Sequence, residues 1–288
     1  MDLQLEGKRA LVTGGSRGIG KAIARQLALE GADVAITARN EDTLTAAATE
    51  LATETGRKIV PIVADTGSDE SVRAMVQSAL EHLGGIDVLV NNAAKPGGQG
   101  PVPRLGDITD DVFWDDVNVK VMGYVRVARE VAPHMEAAGW GRIINISGLA
   151  ARQAGNIVGS IRNVSVAALT KNLAEELAPR DVASTVVHPG LTRTEKTPEV
   201  LARLAQSRGI SEAEAEAQLT SGTLANRMID AGDIANVVAF LASPLSIAIN
   251  GDAIAAGGGV PRAIHAWNDD CVNAHAKSRA AARLSTFV

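Results

Sequence analysis

Short apolar runs and longer amphipathic segments alternate along the whole chain. The runs at residues 9–13, 33–37, 59–63, 87–91, 142–146, 184–188 and 253–255 predict strands. Several are dense in Val and Ile, as strands buried within a sheet should be. Between them the apolar positions recur every three or four residues. Segment 21–30 carries Ile23, Leu27 and Ala28, and segment 68–83 carries Val72, Met75, Val76, Ala79 and Leu80, so both predict helices. Strands alternating with helices predict a parallel sheet with right-handed crossovers and helices on both faces.

No repeat, low-complexity tract or dividing linker interrupts this rhythm, so residues 1–261 are expected to form one domain. Two stretches stand apart. Residues 191–226, after Pro189-Gly190, are polar and rich in Ala and Glu, and they predict a helical lid. Residues 262–288 follow the last strand with weak patterning, as a partner-contacting tail or a loose end.

Composition narrows the picture further. Of 288 residues 46% are hydrophobic but 2% aromatic, so the core must be built from Ala, Val, Ile and Leu. That suits strands covered on both sides by Ala-rich helices. The formal net charge of −5 lacks the basic excess of a nucleic-acid binder. One cysteine, Cys271, permits neither an internal disulfide nor a cysteine metal cluster, and it fits a reducing, cytosolic compartment. The start Met1-Asp2-Leu3-Gln4-Leu5 lacks the basic and apolar regions of a signal peptide. No apolar stretch reaches the roughly 18 residues of a membrane span.

The first strand runs into Thr13-Gly14-Gly15-Ser16-Arg17-Gly18-Ile19-Gly20. Glycines at 14, 18 and 20 let the backbone approach a pyrophosphate, and the helix that follows points free N–H groups and a positive dipole end at the anion. A glycine turn between strand and helix in that order predicts a dinucleotide-binding fold of the Rossmann type: three layers, a doubly wound parallel sheet of about seven strands, helices on both faces. At the end of the second strand stands Ala38-Arg39-Asn40, where NAD binders keep an acidic residue for the ribose 2′-OH. A guanidinium there suits a 2′-phosphate, and Arg17 adds a second positive charge. NADP(H) is therefore the expected cofactor, with NAD(H) as the alternative.

With these residues in place the chain resembles the short-chain dehydrogenase/reductase family from about Lys8 to Gly259. Thr13–Gly20 is similar to the family's T-G-x-x-x-G-x-G, which brings Ser16 and Ile19 into the cofactor turn. The resemblance implies that Asp65, with Thr66 beside it, meets the adenine ring. Asn91-Asn92-Ala93-Ala94 resembles N-N-A-G, with Ala94 in place of glycine. Asn118 matches the active-site asparagine and Ser147 the active-site serine. Pro189, Gly190 and Thr192 resemble a shortened P-G-x-x-x-T region beside the nicotinamide. Members usually form dimers or tetramers through the helices after the fourth and fifth strands, here around residues 119–134 and 164–177.

One family motif is missing. Aligning the usual S-K-A-A-L run with Ser165-Val166-Ala167-Ala168-Leu169 puts Val166 at the lysine of Y-x-x-x-K and Arg162 at the tyrosine. The chain's single tyrosine, Tyr124, lies upstream of Ser147 with Ala128 four residues on, and Lys171 has Ala167 four before it. Arginine stays protonated and cannot replace a tyrosine acid. Losing a general acid costs about 10²–10⁴-fold in rate. Losing the ribose anchor costs on the order of 1.5–3 kcal/mol of cofactor affinity. Arg162 is expected to face the pocket of Ser147, there to bind a substrate carboxylate or a developing oxyanion. His188 and Tyr124 are alternative proton sources, each with packing as its competing role. Three functions stay open: an oxidoreductase on a small carbonyl or alcohol with a changed catalytic pair, a cofactor-binding protein without turnover, and elimination or hydration with Arg162 as electrophile.

Overall fold

The computed structural model describes residues 1–95 and 102–259, so the tail at 262–288 and most of the loop at 95–105 lie outside the described residues. In chain order the first half runs β1 (Arg9–Thr13), α1 (Gly18–Leu29), β2 (Asp33–Ala38), α2 (Glu41–Thr55), β3 (Ile59–Val63), α3 (Asp69–Leu83) and β4 (Val88–Asn91). The second half runs α4 (Asp110–Val117), a wide π-type turn (Asn118–Met122), α5 (Gly123–Ala138), β5 (Gly141–Ile146), α6 (Ile157–Leu177) and β6 (Val182–Pro189). It ends with β7 (Thr192–Arg193), α7 (Thr197–Arg208), α8 (Glu212–Thr220), β8 (Ile229–Asp230), α9 (Ala231–Ala242) and β9 (Ala253–Ala256).

Seven of these strands form one sheet in the order β3-β2-β1-β4-β5-β6-β9. Every pairing in it is parallel. The predicted doubly wound architecture is the one observed. Successive strand residues explain its layers. Val12, Val34, Ile36, Val90 and Ile144 pack with α1, α2 and α9 on one face. Their neighbours Leu11, Ala35, Leu89 and Ile143 pack with α3 and α5 on the other. A strand covered on both faces needs no polar alternation. The helices meet the sheet through Ala and Val, such as Ala24 and Ala28 of α1 or Val127 and Ala128 of α5, so few aromatics are required.

Helix starts are set by local chemistry. Asn40 Oδ1 accepts from Thr43 N at 2.9 Å and opens α2, and Ser68 Oγ accepts from Ser71 N at 3.3 Å and opens α3. Asp65 does not cap α3: its Oδ1 accepts from Gly67 N at 2.9 Å and holds the turn before it. The segment expected as a lid holds α7 and α8, which share a small apolar cluster of Leu201, Ala205, Ala215 and Met228. Its two ends are joined by the short β7–β8 pair, with Thr192 opposite Ile229.

The chain reverses its course between β1 and β4, which are neighbours although two strands separate them in sequence. Loops leave the sheet in opposite directions at such a switch point and open a crevice at the carboxyl ends of the strands.

Candidate active site

That crevice is a cleft of about 1250 Å³. Its first half is built from the glycine turn. Thr13 Oγ1 accepts from Asn92 N at 2.9 Å and from Ala93 N at 3.0 Å. Asn92 Nδ2 donates back to Thr13 O at 3.0 Å and Gly14 O at 3.1 Å. The end of β4 thus clamps the end of β1. Gly14 sits at φ +69°, and a Cβ there would lie 2.9 Å from Asn92 Nδ2, so the position requires glycine. Arg17 precedes α1 without a side-chain cap, leaving first-turn N–H groups facing the cleft. The Gly18 N–H donates to Glu195 Oε2 at 3.1 Å, which puts a carboxylate where the turn would hold a phosphate. Arg17 and Arg39 are exposed on the cleft rim, and neither meets an acidic partner among the described residues. A cradle that any Cβ would fill, with free N–H groups and two uncompensated cations beside it, fits a dinucleotide with an extra phosphate.

Gly14, Ser16, Arg17, Gly18, Ile19, Gly20, Arg39, Asp65, Thr66, Asn92, Ala93, Pro189 and Gly190 all line this cleft. Thr192 does not line it. The Thr192 hydroxyl donates to Gly190 O at 3.0 Å, and Thr194 lines the cleft instead. Counting from Pro189 through Thr194 gives P-G-x-x-x-T at full spacing, so the region is not shortened and the spacing itself designates Thr194.

The second half holds Ser147 and Arg162 as expected, but Asn118 is turned away. Its Oδ1 accepts from Arg126 at 2.7 Å and its Nδ2 reaches Gly67 O at 3.4 Å, on the side of α3. The cause is the π-type turn that begins at Asn118. One extra residue per turn shifts the helical register and rotates the side chains around it. The turn instead buries Lys120, whose Nζ donates to Ser147 O at 2.9 Å and to Asn163 Oδ1 at 3.0 Å. Ser147 Oγ in turn donates to Asn163 O at 3.0 Å. Arg162 is ion-paired with Asp116 of α4, and both side chains are mostly buried. Its charge is therefore already compensated, which removes the free guanidinium expected for a substrate carboxylate. Lys120, Asn163, Asp116 and Thr194 were all missed by sequence reasoning.

The remaining residues take structural places. Val166 is fully buried and packs with Tyr124 and Val186. The Tyr124 hydroxyl donates to Ile146 O at 2.9 Å, and burial raises its pKa far above the usual phenol value. Lys171 pairs with Glu175 on the exposed side of α6. His188 is buried and is not part of the cleft lining. Burial, with Arg152 and Lys120 nearby, lowers its pKa to about 4. Lys120 is lowered to about 7, chiefly by burial and then by repulsion from Arg162, with Asp116 opposing. Among the described residues no cluster of His, Cys, Asp and Glu is placed to hold a metal, and no helix is long and apolar enough to cross a membrane.

These shifts give stability a definite pH dependence. Between about 7 and the ordinary lysine value near 10.4 the unfolded chain holds a proton on Lys120 that the folded chain does not, so stability rises with pH across that window. His188 acts with the same sign between about 4 and 6.5. Urea denaturation from pH 4 to 10 is expected to show both rises, and Lys120→Met is expected to flatten the upper one while leaving the lower one in place.

Comparison with known proteins agrees with this fold. A family model described as short chain dehydrogenase matches residues 8–204. A 3-oxoacyl-(acyl-carrier-protein) reductase of Aquifex aeolicus is 33% identical over 270 residues, 90% of this chain and 100% of that protein. The L-sorbose reductase of Gluconobacter frateurii, solved with NADPH and L-sorbose, superposes with a TM-score of 0.86 at 29% identity, covering 92% of this chain and 100% of that one. A xylitol dehydrogenase solved with NAD+ superposes with a TM-score of 0.81 at 27% identity, covering 89% of this chain and 100% of that one.

Proposed function

The chain belongs to the short-chain dehydrogenase/reductase family, and from that premise we propose that it is an NADP(H)-dependent oxidoreductase acting on a small carbonyl or alcohol. The observation that carries this reading is the continuity of one cleft, from the glycine cradle to Ser147, Lys120 and Arg162. Gly14, Gly18 and Gly20 hold the pyrophosphate, Arg17 and Arg39 the 2′-phosphate, Asp65 and Thr66 the adenine end, and Asn92, Ala93, Pro189, Gly190 and Thr194 the nicotinamide end. The bound cofactor supplies or takes a hydride. Ser147 positions the substrate oxygen, and the α7–α8 segment closes over it as a lid on a domain that spans residues 1–261. The L-sorbose reductase with its bound NADPH supports the choice of cofactor and of a polar substrate. The exposed Ile157, Ile161 and Val164 of α6 supply an apolar face for a homo-oligomer, and a cytosolic location follows the same reading.

A second reading has its own support. Val166 fills the place of the ribose anchor and Asp116 neutralises Arg162, features that suit a cofactor-binding protein without turnover. NADPH fluorescence and absorbance over a panel of ketones and ketoses separate the two: binding with consumption supports the oxidoreductase, and saturable binding without it supports the alternative.

The cofactor choice has a sharper test. Arg39→Glu replaces a cation with a charge that repels a 2′-phosphate. Losing a charged hydrogen bond costs about 1.5–3 kcal/mol, so NADPH should weaken on the order of 10–100-fold while NADH changes little. Titration calorimetry with both dinucleotides checks it, and tighter NADH binding by the unaltered protein would refute the NADP assignment.

A further inference from the structure

Reduction of a carbonyl requires a proton at oxygen as well as a hydride at carbon, and this cleft has no tyrosine to give it. Arg162 keeps its proton and is held by Asp116. The Tyr124 hydroxyl is committed to Ile146 O and lies outside the cleft lining. His188 is outside that lining as well, and its depressed pKa leaves it without a proton to give at neutral pH.

Lys120 remains. It lines the cleft, yet is only 4% exposed. Its Nζ donates to Ser147 O at 2.9 Å and to Asn163 Oδ1 at 3.0 Å, and Asn163 Oδ1 also lies 3.3 Å from Ser147 Oγ. An ammonium has three N–H bonds, and two are used here. The third is left beside the serine that positions the substrate oxygen. Accepting that the protein is an oxidoreductase, we infer that Lys120 is the acid–base residue of this cleft, its Nζ giving a proton to the oxygen of a carbonyl substrate and taking one from an alcohol.

The step balances. One N–H bond of Lys120 breaks and one O–H bond forms. The π pair of the carbonyl moves onto oxygen to receive the proton, as the carbon gains the hydride and is reduced. Lys120 is left as a neutral amine and regains a proton from water entering the cleft. The reverse direction starts from that amine.

The surrounding charges favour such a cycle. Arg162 on α6 and His188 on β6 lie on Lys120's side of the sheet end, and Asp116 on α4 balances Arg162. Tyr124, one turn on in α5, stays neutral. Burial and Arg162 together bring the lysine to about 7, near the pH at which a general acid serves best. Asn163 Oδ1 and the Ser147 carbonyl fix its direction through hydrogen bonds, so its flexible stem does not have to be ordered during the reaction.

The test uses the full chain with NADPH. In protein labelled at lysine Cε with carbon-13, one of the eight lysine resonances is expected to titrate near neutrality and to be missing from Lys120→Met. All eight titrating at the ordinary lysine value would overturn the inference, whatever the activity. Lys120→Met is expected to bind NADPH within about threefold of the unaltered protein by fluorescence while reducing a carbonyl about 10²–10⁴-fold more slowly. Lys120→Arg keeps the charge but cannot release a proton, so it should be equally slow and serves if the methionine variant fails to fold. Carbonyl reduction undiminished in both variants overturns the role of Lys120 and leaves the oxidoreductase reading intact. No NADPH consumption by the unaltered protein on any carbonyl overturns that reading, and the inference with it.

Discussion

Replacing Gly20 with alanine is expected to weaken dinucleotide binding at least about 100-fold. A Cβ at Gly20 would lie 2.2 Å from Gly14 O, 2.4 Å from Asn92 Nδ2 and 2.9 Å from Gly14 C. Two of these are backbone atoms, which no rotamer change can move. Relief requires the first turn of α1 to back away from the end of β1, and that breaks the clamp from Asn92 to Thr13 O and Gly14 O. The free N–H groups then no longer converge on one anion, and the backbone that a pyrophosphate must approach is displaced. Binding of NADPH should weaken by at least 100-fold, or about 2.7 kcal/mol. Overpacking of about 1–3 kcal/mol should also lower the melting temperature by several degrees. Gly232→Ala in α9 is the matched control, because a Cβ there meets nothing within 4 Å and the residue lies in a helix. Fluorescence titration and thermal melts of both variants check this. Unaltered NADPH affinity in Gly20→Ala would mean that the glycine turn is a tight connection and no more.

The contrast between the two halves of the cleft explains how much of it the sequence makes legible. The strands are readable because each is a run of Val, Ile, Leu or Ala whose neighbours serve opposite faces, as Leu11 and Val12 do. Their ends are less so: β6 extends from Val182 to Pro189, beyond the predicted 184–188, because flanking residues join the ladder to β5 and β9 without any compositional mark. The cofactor half is legible because it is local. Eight consecutive residues make the turn, and Arg39 and Asp65 lie just past strand ends that the pattern already fixes. Thr192 was a matter of counting, since the threonine at the motif's spacing is Thr194.

The half around Ser147 is not local. Asp116 comes from α4, Lys120 from the wide turn, Ser147 from the end of β5 and Asn163 from α6. The family resemblance assigns the site to Asn118 and says nothing of Lys120. The π-type turn changes which side chains face the cleft, and nothing in the periodicity of Asn118-Val119-Lys120-Val121-Met122 announces it. A lysine between two valines is a faint signal that one polar group is buried among apolar neighbours. Its meaning depends on Asn163 and Ser147, which are distant in sequence and supply the acceptors that make its burial tolerable.

The same cluster leads to the largest expected effect on stability, that of Asp116→Asn. The side chains of Arg162 and Asp116 are 10% and 17% exposed, so their pairing takes place largely out of water. Removing the carboxylate leaves a buried guanidinium beside the buried amine of Lys120. Breaking a buried pair on one side costs about 3–5 kcal/mol, because the remaining charge has lost its partner and cannot regain its hydration. The loss is not a measure of what the pair contributes: removing both charges can be nearly neutral. Asp116→Leu with Arg162→Met is therefore expected to be more stable than Asp116→Asn alone, by urea denaturation at pH 7. The charge balance at Lys120 must follow. Asp116 raises the lysine's pKa and Arg162 lowers it more, so Asp116→Asn should move the titration below about 7, whereas the double variant, which also removes Arg162, should move it upward. A double variant that is no more stable than the single would mean that Arg162 and Asp116 are not coupled. An unshifted lysine in Asp116→Asn would mean that solvent, and not the protein, sets the field at the end of the cleft.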